Sequence, residues 1–229
     1  MITISAMKWA PPFAAGQVRD QRARWILNEV GWPYQVRLID ARDLASDAYR
    51  RQQPFGQVPY LDEDGRPTLF ESGAIVIDVA TRAGRLLPAD DDGRARVLCW
   101  VIAALNSVEP SLMNVAEVAY FIDDEAQKRA RQPAVTAFAH QRLSQLDAAM
   151  GGRDWLVGDA FTIADLMMGS VLRIAHRLDL LSAHPRLAGY HDRCVDRPAC
   201  RKAIAEQCEA IAAHGPDDMH FEDATRPDA

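Results

Sequence analysis

The hydrophobic pattern of this chain changes period near residue 85, and that change limits the folds the chain can adopt. Before residue 85, short alternating stretches typical of strands are mixed with helical patterns. After residue 85 there is almost no strand pattern. Instead, apolar residues recur at helical spacing within residues 97–112, 135–150 and 163–174. The sequence therefore predicts a small sheet domain followed by an all-helical domain of roughly five or six helices.

In the first part, the predicted elements follow the order strand, helix, strand, and then two strands and a helix. The first strand begins at Ile2, the first helix covers Val18–Val30, and the second strand covers Tyr34–Ile39. A hairpin is predicted around the turn-rich stretch 62–65, and a second long helix covers Ser72–Ala83. This βαβ–ββα order implies a small mixed sheet with helices packed on it.

We expect four segments along the chain. Residues 1–84 form the sheet domain, and residues 85–93, with Pro88 and three successive aspartates, form a linker. Residues 94–213 form the helical domain, and residues 214–229 form an acidic tail that we expect to be loosely ordered. The first domain is electrically neutral, and the tail carries most of the formal net charge of −6. The net charge therefore says little about ligands.

Composition argues against several classes of protein. With 48% hydrophobic residues the chain is too apolar for intrinsic disorder, and its mild acidity does not fit nucleic-acid binding. No apolar run approaches the ~18 residues of a membrane span, and Met1–Ala10 does not resemble a signal peptide. The four cysteines have no CxxC spacing and no accompanying histidine cluster. We therefore expect free thiols in a reducing cytoplasm and no metal site.

The stretch Pro54–Leu61, with the sequence PFGQVPYL, is the most informative in the chain. Pro59 stands where a strand should begin or end, and an X-Pro bond is the kind that takes the cis form at low cost. A cis bond after Val58 would turn the N–H and C=O of Val58 outward, so that an extended peptide could pair with them like an added strand. The alternative is an ordinary trans turn, which Pro54 and Pro59 alone favour.

A second motif, Glu71–Ser72, follows twelve residues after Pro59. Ser72 can cap the helix that follows, and an anionic ligand group is stabilised at the positive end of a helix. Glu71 can pair with a ligand ammonium group. Capping without a ligand is the alternative interpretation. Together with Val58 and Pro59, this motif predicts a site for a short peptide-like molecule that has both a carboxylate and an amine.

The third motif, GDAFTIADL at 158–166, has a structural explanation for each of its parts. Thr162 is a good N-cap, and Asp165 at the third helical position completes a capping box. Phe161 and Leu166 occupy the positions of a hydrophobic staple. We assign this motif to folding rather than to catalysis.

With these three motifs in the family's order and spacing, the chain resembles the cytosolic glutathione S-transferase family over roughly residues 1 to 210. The resemblance implies an α/β thioredoxin-like N-terminal domain plus an all-α C-terminal helical domain, the glutathione transferase fold. It implies a cytoplasmic homodimer with glutathione as co-substrate and a small hydrophobic electrophile as second substrate. It implies no metal and no nucleic-acid or membrane partner.

The resemblance also implies roles for the residues of the first two motifs. Pro59 would be the family's cis-proline, and the backbone of Val58 would pair with the cysteinyl part of glutathione. Glu71 and Ser72 would hold the γ-glutamyl amine and carboxylate. Gln57 lies where the family often has a polar or basic side chain near the glycyl end.

The predicted active-site loop departs from the family pattern. Members usually carry a Tyr, Ser or Cys between the first strand and helix, and a hydrogen bond from this residue favours the glutathione thiolate. Residues 6–19 contain none of these. The usual position falls near Gln17 when counted back from Gly31, or at Pro11 when Pro12-Phe13-Ala14 is matched to the Cys-Pro-Phe-Ala form of the Cys classes. The substitutes are the amide of Gln17, the indole N–H of Trp9, the charge of Arg19, or a backbone N–H within residues 14–16. We rank the backbone N–H first, with support from the helix N-terminus.

We expect the electrophile to bind in a pocket between the two domains, since ligand pockets often lie at domain interfaces. Trp9 and Phe13 could form one wall, faced by Met113 and Tyr120 from the helical domain, and core or interdomain packing is the alternative for each. The resemblance thus implies an enzyme that conjugates glutathione to a small electrophile. A catalytically weak glutathione-binding or regulatory protein, and a glutathione-dependent peroxidase or isomerase, remain alternatives because function belongs to the site rather than to the fold.

Overall fold

The computed structural model describes residues 1–224 and contains two compact units. The first unit combines Met1–Arg85 with residues 198–224, and the second unit is Leu86–Arg197. The strands are β1 (Ile2–Met7), β2 (Tyr34–Ile39), β3 (Tyr60–Glu63) and β4 (Leu69–Phe70). The α-helices are α1 (Asp20–Val30), α2 (Ala41–Ala45), α3 (Asp47–Arg50), α4 (Ser72–Ala83), α5 (Asp91–Ala103), α6 (Glu109–Tyr120), α7 (Glu125–Met150), α8 (Ile163–Arg177), α9 (Pro185–Val195), α10 (Pro198–Ala212) and α11 (Phe221–Ala224).

The four strands of the first unit form one mixed sheet in the order β2-β1-β3-β4. Strand β1 runs parallel to β2 and antiparallel to β3, while β4 is antiparallel to β3. Strand β2 and helix α4 have the bounds that the sequence predicts, and the expected mixed sheet is confirmed. Helices α1 and α4 contact each other. The core of this unit includes the fully buried side chains of Trp25, Ile26, Leu27, Ile75 and Val76.

Helix α1 begins at Asp20, two residues later than the sequence predicts, because residues 12–19 fold into turns and a bend. It ends at Val30, where Gly31 adopts a left-handed φ of 77° that favours glycine. The N–H of Gly31 donates to the carbonyl of Leu27 at 2.9 Å. The helix therefore stops at the glycine that the sequence marks as its end.

The expected helical domain ran to residue 213, but its last helix, α10, packs on α1 of the first unit. The side chain of Gln207 on α10 donates to the carboxylate of Asp20 at 2.7 Å and to the carbonyl of Val18 at 2.9 Å. Arg24 also donates to that carboxylate at 2.8 Å. Because buried polar groups need such partners, Gln207 on α10 supplies one of the hydrogen-bond donors that the buried carboxylate of Asp20 requires.

We expected a loosely ordered tail after residue 213. Its described part, residues 214–224, is instead packed within the first unit. It contains a 3-10 turn at Pro216–Met219 followed by α11, and α11 contacts α2. The side chain of Met219 is fully buried, and the carboxylate of Asp218 accepts from the N–H of Gly215 at 2.8 Å. The burial of an apolar side chain accounts for this order. Residues 225–229 of that expected tail lie outside the described residues.

The second unit begins with a linker shorter than the expected 85–93. The side chain of Asp90 accepts from the N–H of Gly93 at 2.7 Å, so helix α5 starts at Asp91, inside the expected linker. Aspartate is favoured both as an N-cap and in the first turn of a helix, which explains why the three aspartates begin a helix rather than extend a loop.

A π-helical turn at Ala104–Val108 joins α5 and α6 into one helix, Asp91–Tyr120. By length and composition this helix could cross a membrane, since an 18-residue window reaches a mean hydropathy of 1.2. Of that window, 39% is buried. Core helices of globular domains meet the same criteria, and here α5 and α6 both pack against α8.

Helix α8 begins with the capping box that the sequence predicts, which confirms the structural role of this motif. The carboxylate of Asp165 is fully buried and accepts from the N–H and the hydroxyl of Thr162, at 2.9 and 3.0 Å. It also accepts from the N–H of Leu156 at 2.8 Å and from the hydroxyl of Tyr190 at 3.0 Å. Asp165 therefore ties together the start of α8, the preceding loop and α9.

Candidate functional site

Strands β3 and β4 bring the first two motifs to the same end of a hairpin. Tyr60 pairs with Phe70 in this antiparallel pair. Residues 58 and 59 therefore lie near residues 71 and 72, just beyond the paired strands. The Val58–Pro59 peptide bond is cis, which confirms the backbone form expected at this position.

The backbone of Val58 is open to a ligand. Neither its N–H nor its C=O has a hydrogen-bond partner within residues 1–224. Pro59 beside it is buried, whereas the side chain of Gln57 is exposed. Buried polar backbone groups are usually paired, so an unpaired donor and acceptor on one half-buried residue mark a place where an extended peptide can bind.

A buried glutamine that the sequence analysis did not single out holds the loop in front of Val58. The side-chain oxygen of Gln53 accepts from the N–H of Phe55 at 2.8 Å and from the N–H of Gln57 at 3.2 Å. Gly56 lies between these residues with a φ of 61°, and a Cβ there would lie 2.9 Å from the carbonyl oxygen of Leu44. Both features restrict the loop that leads to the open backbone.

Glu71 and Ser72 stand at the N-terminus of α4. Glu71 is exposed and has a φ of 68°, in the left-handed region that favours glycine. Backbone strain of this kind costs on the order of 1–3 kcal/mol and is concentrated at ligand sites. Ser72 is buried, and the N–H groups of this first helical turn point out of the helix. An anion next to Ser72 would therefore meet unpaired donors.

Arg22 lies behind Ser72 and was not identified from the sequence. Its guanidinium donates to the Ser72 hydroxyl oxygen at 3.3 Å, and its side chain is almost fully buried. Because the hydroxyl oxygen accepts this bond, the hydroxyl proton is left to donate in another direction. The guanidinium also adds positive charge beside the helix N-terminus. A basic residue on an amphipathic helix is typical of a solvated face, so the local pattern does not indicate this contact.

Two of the three backbone donors proposed as substitutes for the usual hydroxyl, the N–H groups of Ala14 and Ala15, are occupied. The N–H groups of Ala14 and Ala15 both donate to the carbonyl of Pro11, at 2.8 and 3.1 Å. Helix α1 begins only at Asp20, after these residues, and the first turn of the helix contains the carboxylate of Asp20. These contacts correct the expectation that residues 14–16 lie at the helix start with free N–H groups.

The three side chains proposed for the same role lie in different surroundings. Arg19 is exposed at the N-cap position of α1 and makes no side-chain capping bond. Gln17 is half-buried, and its backbone N–H donates to the carbonyl of Ala14 at 2.9 Å. Trp9 lies just beyond the carboxyl end of β1 and is half-buried. Within the described part of the chain, the indole N–H of Trp9 has no hydrogen-bond partner.

The residues proposed to bind the hydrophobic substrate belong to both units. In the first unit, Trp9 and Phe13 are half-buried. In the second unit, Met113 and Tyr120 stand seven residues apart on α6, so they share one face of that helix. Tyr120 is 36% exposed and Met113 is half-buried. A common pocket for these four side chains stays a prediction.

Metal ligands do not cluster in the described structure. Among residues 1–224, no group of three or more His, Cys, Asp or Glu side chains could hold a metal ion. The four cysteines are free thiols, and none lies in the first 98 residues.

Two family profiles match this chain. One, described as "Glutathione S-transferase, N-terminal domain", matches residues 20–85, and the other, described as "Glutathione S-transferase, C-terminal domain", matches residues 108–198. A glutathione S-transferase of Xanthomonas campestris is 30% identical over 150 residues, which are 63% of this chain and 72% of the relative. The GstA glutathione S-transferase of Escherichia coli is 27% identical over 176 residues, 75% of this chain and 84% of the relative.

Solved structures give the same picture of the fold. A glutathione transferase of Burkholderia graminis superposes with a TM-score of 0.77 at 24% identity, over 89% of this chain and 87% of that one. That structure is described with two glutathione molecules bound per subunit. Ure2p in complex with glutathione superposes with a TM-score of 0.75 at 20% identity, over 89% of this chain and 92% of that one. The thioredoxin-like domain plus helical domain expected from the sequence is thereby confirmed.

Proposed function

The chain belongs to the glutathione S-transferase family, and from this membership we propose that it stabilises the glutathione thiolate and conjugates it to a small hydrophobic electrophile. One observation carries the proposal most directly. The open N–H and C=O of Val58 lie at the same end of a hairpin as the N-terminus of α4, where Glu71 and Ser72 stand. A peptide with a carboxylate at one end and an extended backbone beside it fits this arrangement.

In the proposed complex, the glutathione cysteinyl backbone pairs with Val58 next to Pro59, and the γ-glutamyl group binds at α4. The exposed carboxylate of Glu71 receives the γ-glutamyl ammonium. The Ser72 hydroxyl and the first N–H groups of α4 donate to the γ-glutamyl carboxylate. The exposed side chain of Gln57 contacts the glycyl end.

For activation of the thiol, we propose the indole N–H of Trp9 in place of the usual hydroxyl or thiol. Trp9 follows the carboxyl end of β1, and its N–H is open within the described residues. A hydrogen bond to sulfur favours the thiolate and lowers the thiol pKa. More of the nucleophile is then present at neutral pH. Gln17 and Arg19 are the competing donors, and single variants of each separate the three.

The proposal includes an acceptor site and an assembly state. Trp9 and Phe13 from the first unit, with Met113 and Tyr120 from the second, would bind a small hydrophobic electrophile. Family membership also supports a cytoplasmic location and a homodimer. Light scattering coupled to size-exclusion chromatography measures the number of subunits directly. A monomer at all concentrations tested would contradict that part of the proposal and leave glutathione binding untouched.

The loop between β1 and α1 favours a second candidate, a protein that binds glutathione but turns it over weakly or not at all. The observation is that residues 6–19 contain no Tyr, Ser, Thr or Cys. Both candidates predict glutathione binding, and only the first predicts a depressed thiol pKa. Peroxide reduction and isomerisation on the same scaffold would show as turnover with those substrates in place of conjugation.

The deciding experiment titrates the ultraviolet absorbance of the bound glutathione thiolate against pH. We expect the bound thiol to titrate below free glutathione, and we expect conjugation of a small aromatic electrophile. Glu71→Gln and Ser72→Ala should weaken glutathione binding, whereas Asp159→Asn, an exposed acid in the second unit, is the matched control. Titration at the pKa of free glutathione, with tight binding, would favour the second candidate, and no binding would rule out both.

A further inference from the structure

Ser5 and Tyr49 face each other in the interior of the first unit. Their hydroxyl oxygens lie 3.0 Å apart, although the residues are 44 positions apart in the chain. Ser5 is fully buried in β1, and Tyr49 on α3 is 1% exposed. Buried hydroxyl groups at this distance require partners for every proton.

The neighbouring backbone groups fix the direction of each hydrogen bond. The carbonyl of Gln57 can only accept, so the Tyr49 hydroxyl at 2.7 Å donates to it. The Tyr49 oxygen then accepts from the Ser5 hydroxyl, and the Ser5 oxygen accepts from the N–H of Tyr60 at 2.8 Å. Burial raises the pKa of Tyr49 to about 12, which keeps its proton in place at neutral pH.

The two ends of this chain of hydrogen bonds flank the proposed binding backbone. Gln57 immediately precedes Val58, and Tyr60 immediately follows Pro59. One pair of hydroxyl groups thus holds the turn on both sides and leaves the N–H and C=O of Val58 unpaired. The side chain of Val58 packs against the buried cluster of Ile39, Tyr49 and Tyr60, and this contact also holds the turn in place.

We propose that Ser5 and Tyr49 are positioning residues for glutathione: their linked hydroxyl groups orient the backbone of Val58 for pairing with the cysteinyl part of the ligand. This inference rests on the proposed function. Neither residue touches the reacting sulfur in this scheme. They act through the backbone groups of Gln57 and Tyr60. Because they hold the turn before the ligand arrives, they lower the conformational entropy that the turn loses when the ligand binds.

The test uses Tyr49→Phe and Ser5→Ala in the full chain, with Tyr34→Phe as the matched control. Tyr34→Phe also removes a phenol hydroxyl from the first unit, but that hydroxyl donates to Glu206 and lies outside the linked set. We expect Tyr49→Phe and Ser5→Ala each to raise the glutathione Kd and KM about tenfold, the effect of one lost hydrogen bond to a buried acceptor. We expect kcat at saturation within about twofold of the starting protein, and an unchanged Kd for Tyr34→Phe.

A second ligand separates positioning from general loss of structure. γ-Glutamylmethylamide carries the group proposed for Glu71 and Ser72 but lacks the cysteinyl backbone, so its Kd should not change in any of the three variants. The double variant should bind glutathione no more weakly than the weaker single variant, because both hydroxyl groups act through one linked set.

The outcomes distinguish this inference from the proposed function. If the unmodified protein does not bind glutathione, both fail. If it binds, and Tyr49→Phe and Ser5→Ala bind glutathione with the unmodified Kd, only the inference fails. Equal losses for glutathione and γ-glutamylmethylamide would also overturn it. Thermal melting followed by circular dichroism identifies a variant that does not fold, and the remaining variant then decides alone.

Discussion

The guanidinium of Arg22 donates to the hydroxyl of Ser72 at 3.3 Å, from a position almost fully buried behind the N-terminus of α4. This contact joins α1 to the first residue of α4. It turns the free proton of Ser72 away from Arg22 and adds a positive charge near the place proposed for the γ-glutamyl carboxylate. Ser72 and Arg22 are therefore expected to act as one unit in glutathione binding.

We expect Arg22→Lys to weaken glutathione binding about tenfold, because lysine keeps the charge but does not reproduce the planar donor geometry of arginine. Ser72→Ala should cost at least as much, since it removes a donor to a charged group. In the Ser72→Ala background, Arg22→Lys should add little. Isothermal titration calorimetry on the four proteins of this cycle measures the coupling. Additive losses would mean that Arg22 does not act through Ser72.

Trp9→Phe removes the indole N–H and keeps an aromatic ring at the end of β1. We expect kcat/KM for conjugation to fall about tenfold to a hundredfold, and the pKa of the bound thiol to rise toward that of free glutathione. Gln17→Leu and Arg19→Ala are the matched variants for the two competing donors. A bound thiol pKa that moves only in Gln17→Leu would transfer the role to the glutamine amide.

Asp165→Ala should lower the free energy of unfolding by about 3 kcal/mol or more, because it leaves buried donors of Thr162, Leu156 and Tyr190 without their acceptor. Urea denaturation measures this change. Asp159→Ala, in the exposed loop that precedes α8, should stay within about 0.5 kcal/mol of the unmodified protein. Similar losses for the two variants would show that the carboxylate of Asp165 contributes no more than a surface charge.

The stability of the second unit should fall in mild acid because of His184. Burial, and then the neighbouring His140, lower the pKa of His184 from its ordinary value, while Asp147 opposes the shift. The Nε2 atom of His184 lies 3.0 Å from the Nδ1 atom of His140, and one of the two nitrogens has to be unprotonated to accept the bond. The folded protein therefore binds fewer protons than the unfolded chain as the pH falls through the ordinary histidine pKa.

Because the unfolded chain takes up the extra proton, the free energy of unfolding should decrease from about pH 7.5 to about pH 5.5. His184→Gln should reduce this slope, as measured by urea denaturation across the same range. His214→Gln is the control, since His214 lies in the first unit and bonds to the carbonyl of Ala210. An unchanged slope in His184→Gln would assign the acid sensitivity to other groups.

The elements with a strong local pattern could be predicted from the sequence. Tyr34–Ile39 alternates along its length, and Ser72–Ala83 stops at a glycine, and both have the observed bounds. The cis bond at Val58–Pro59 agrees with what the family resemblance implies, although the prolines alone favour a trans turn. In each case the physical cause lies within a few residues of the feature.

Contacts between distant residues left no local pattern. Ser5 meets Tyr49, and Arg22 meets Ser72, through single polar atoms that no periodicity records. The backbone donors of Ala14 and Ala15 looked available because a turn back to Pro11 has no strong sequence signal. The details of the proposed site therefore depend on tertiary packing, whereas its location depends on short motifs.

The packing of α10 on α1 also has a consequence for how this protein is made. The ribosome synthesises the whole second unit before Gln207 emerges, so Asp20 on the nascent chain lacks one of its buried partners until then. The thioredoxin-like domain is thus discontinuous, completed by a helix translated more than a hundred residues after its sheet. A fragment cut after Arg85 would expose the α10-facing surface of α1, and the two units would have to be produced in one polypeptide or mixed as complementing pieces.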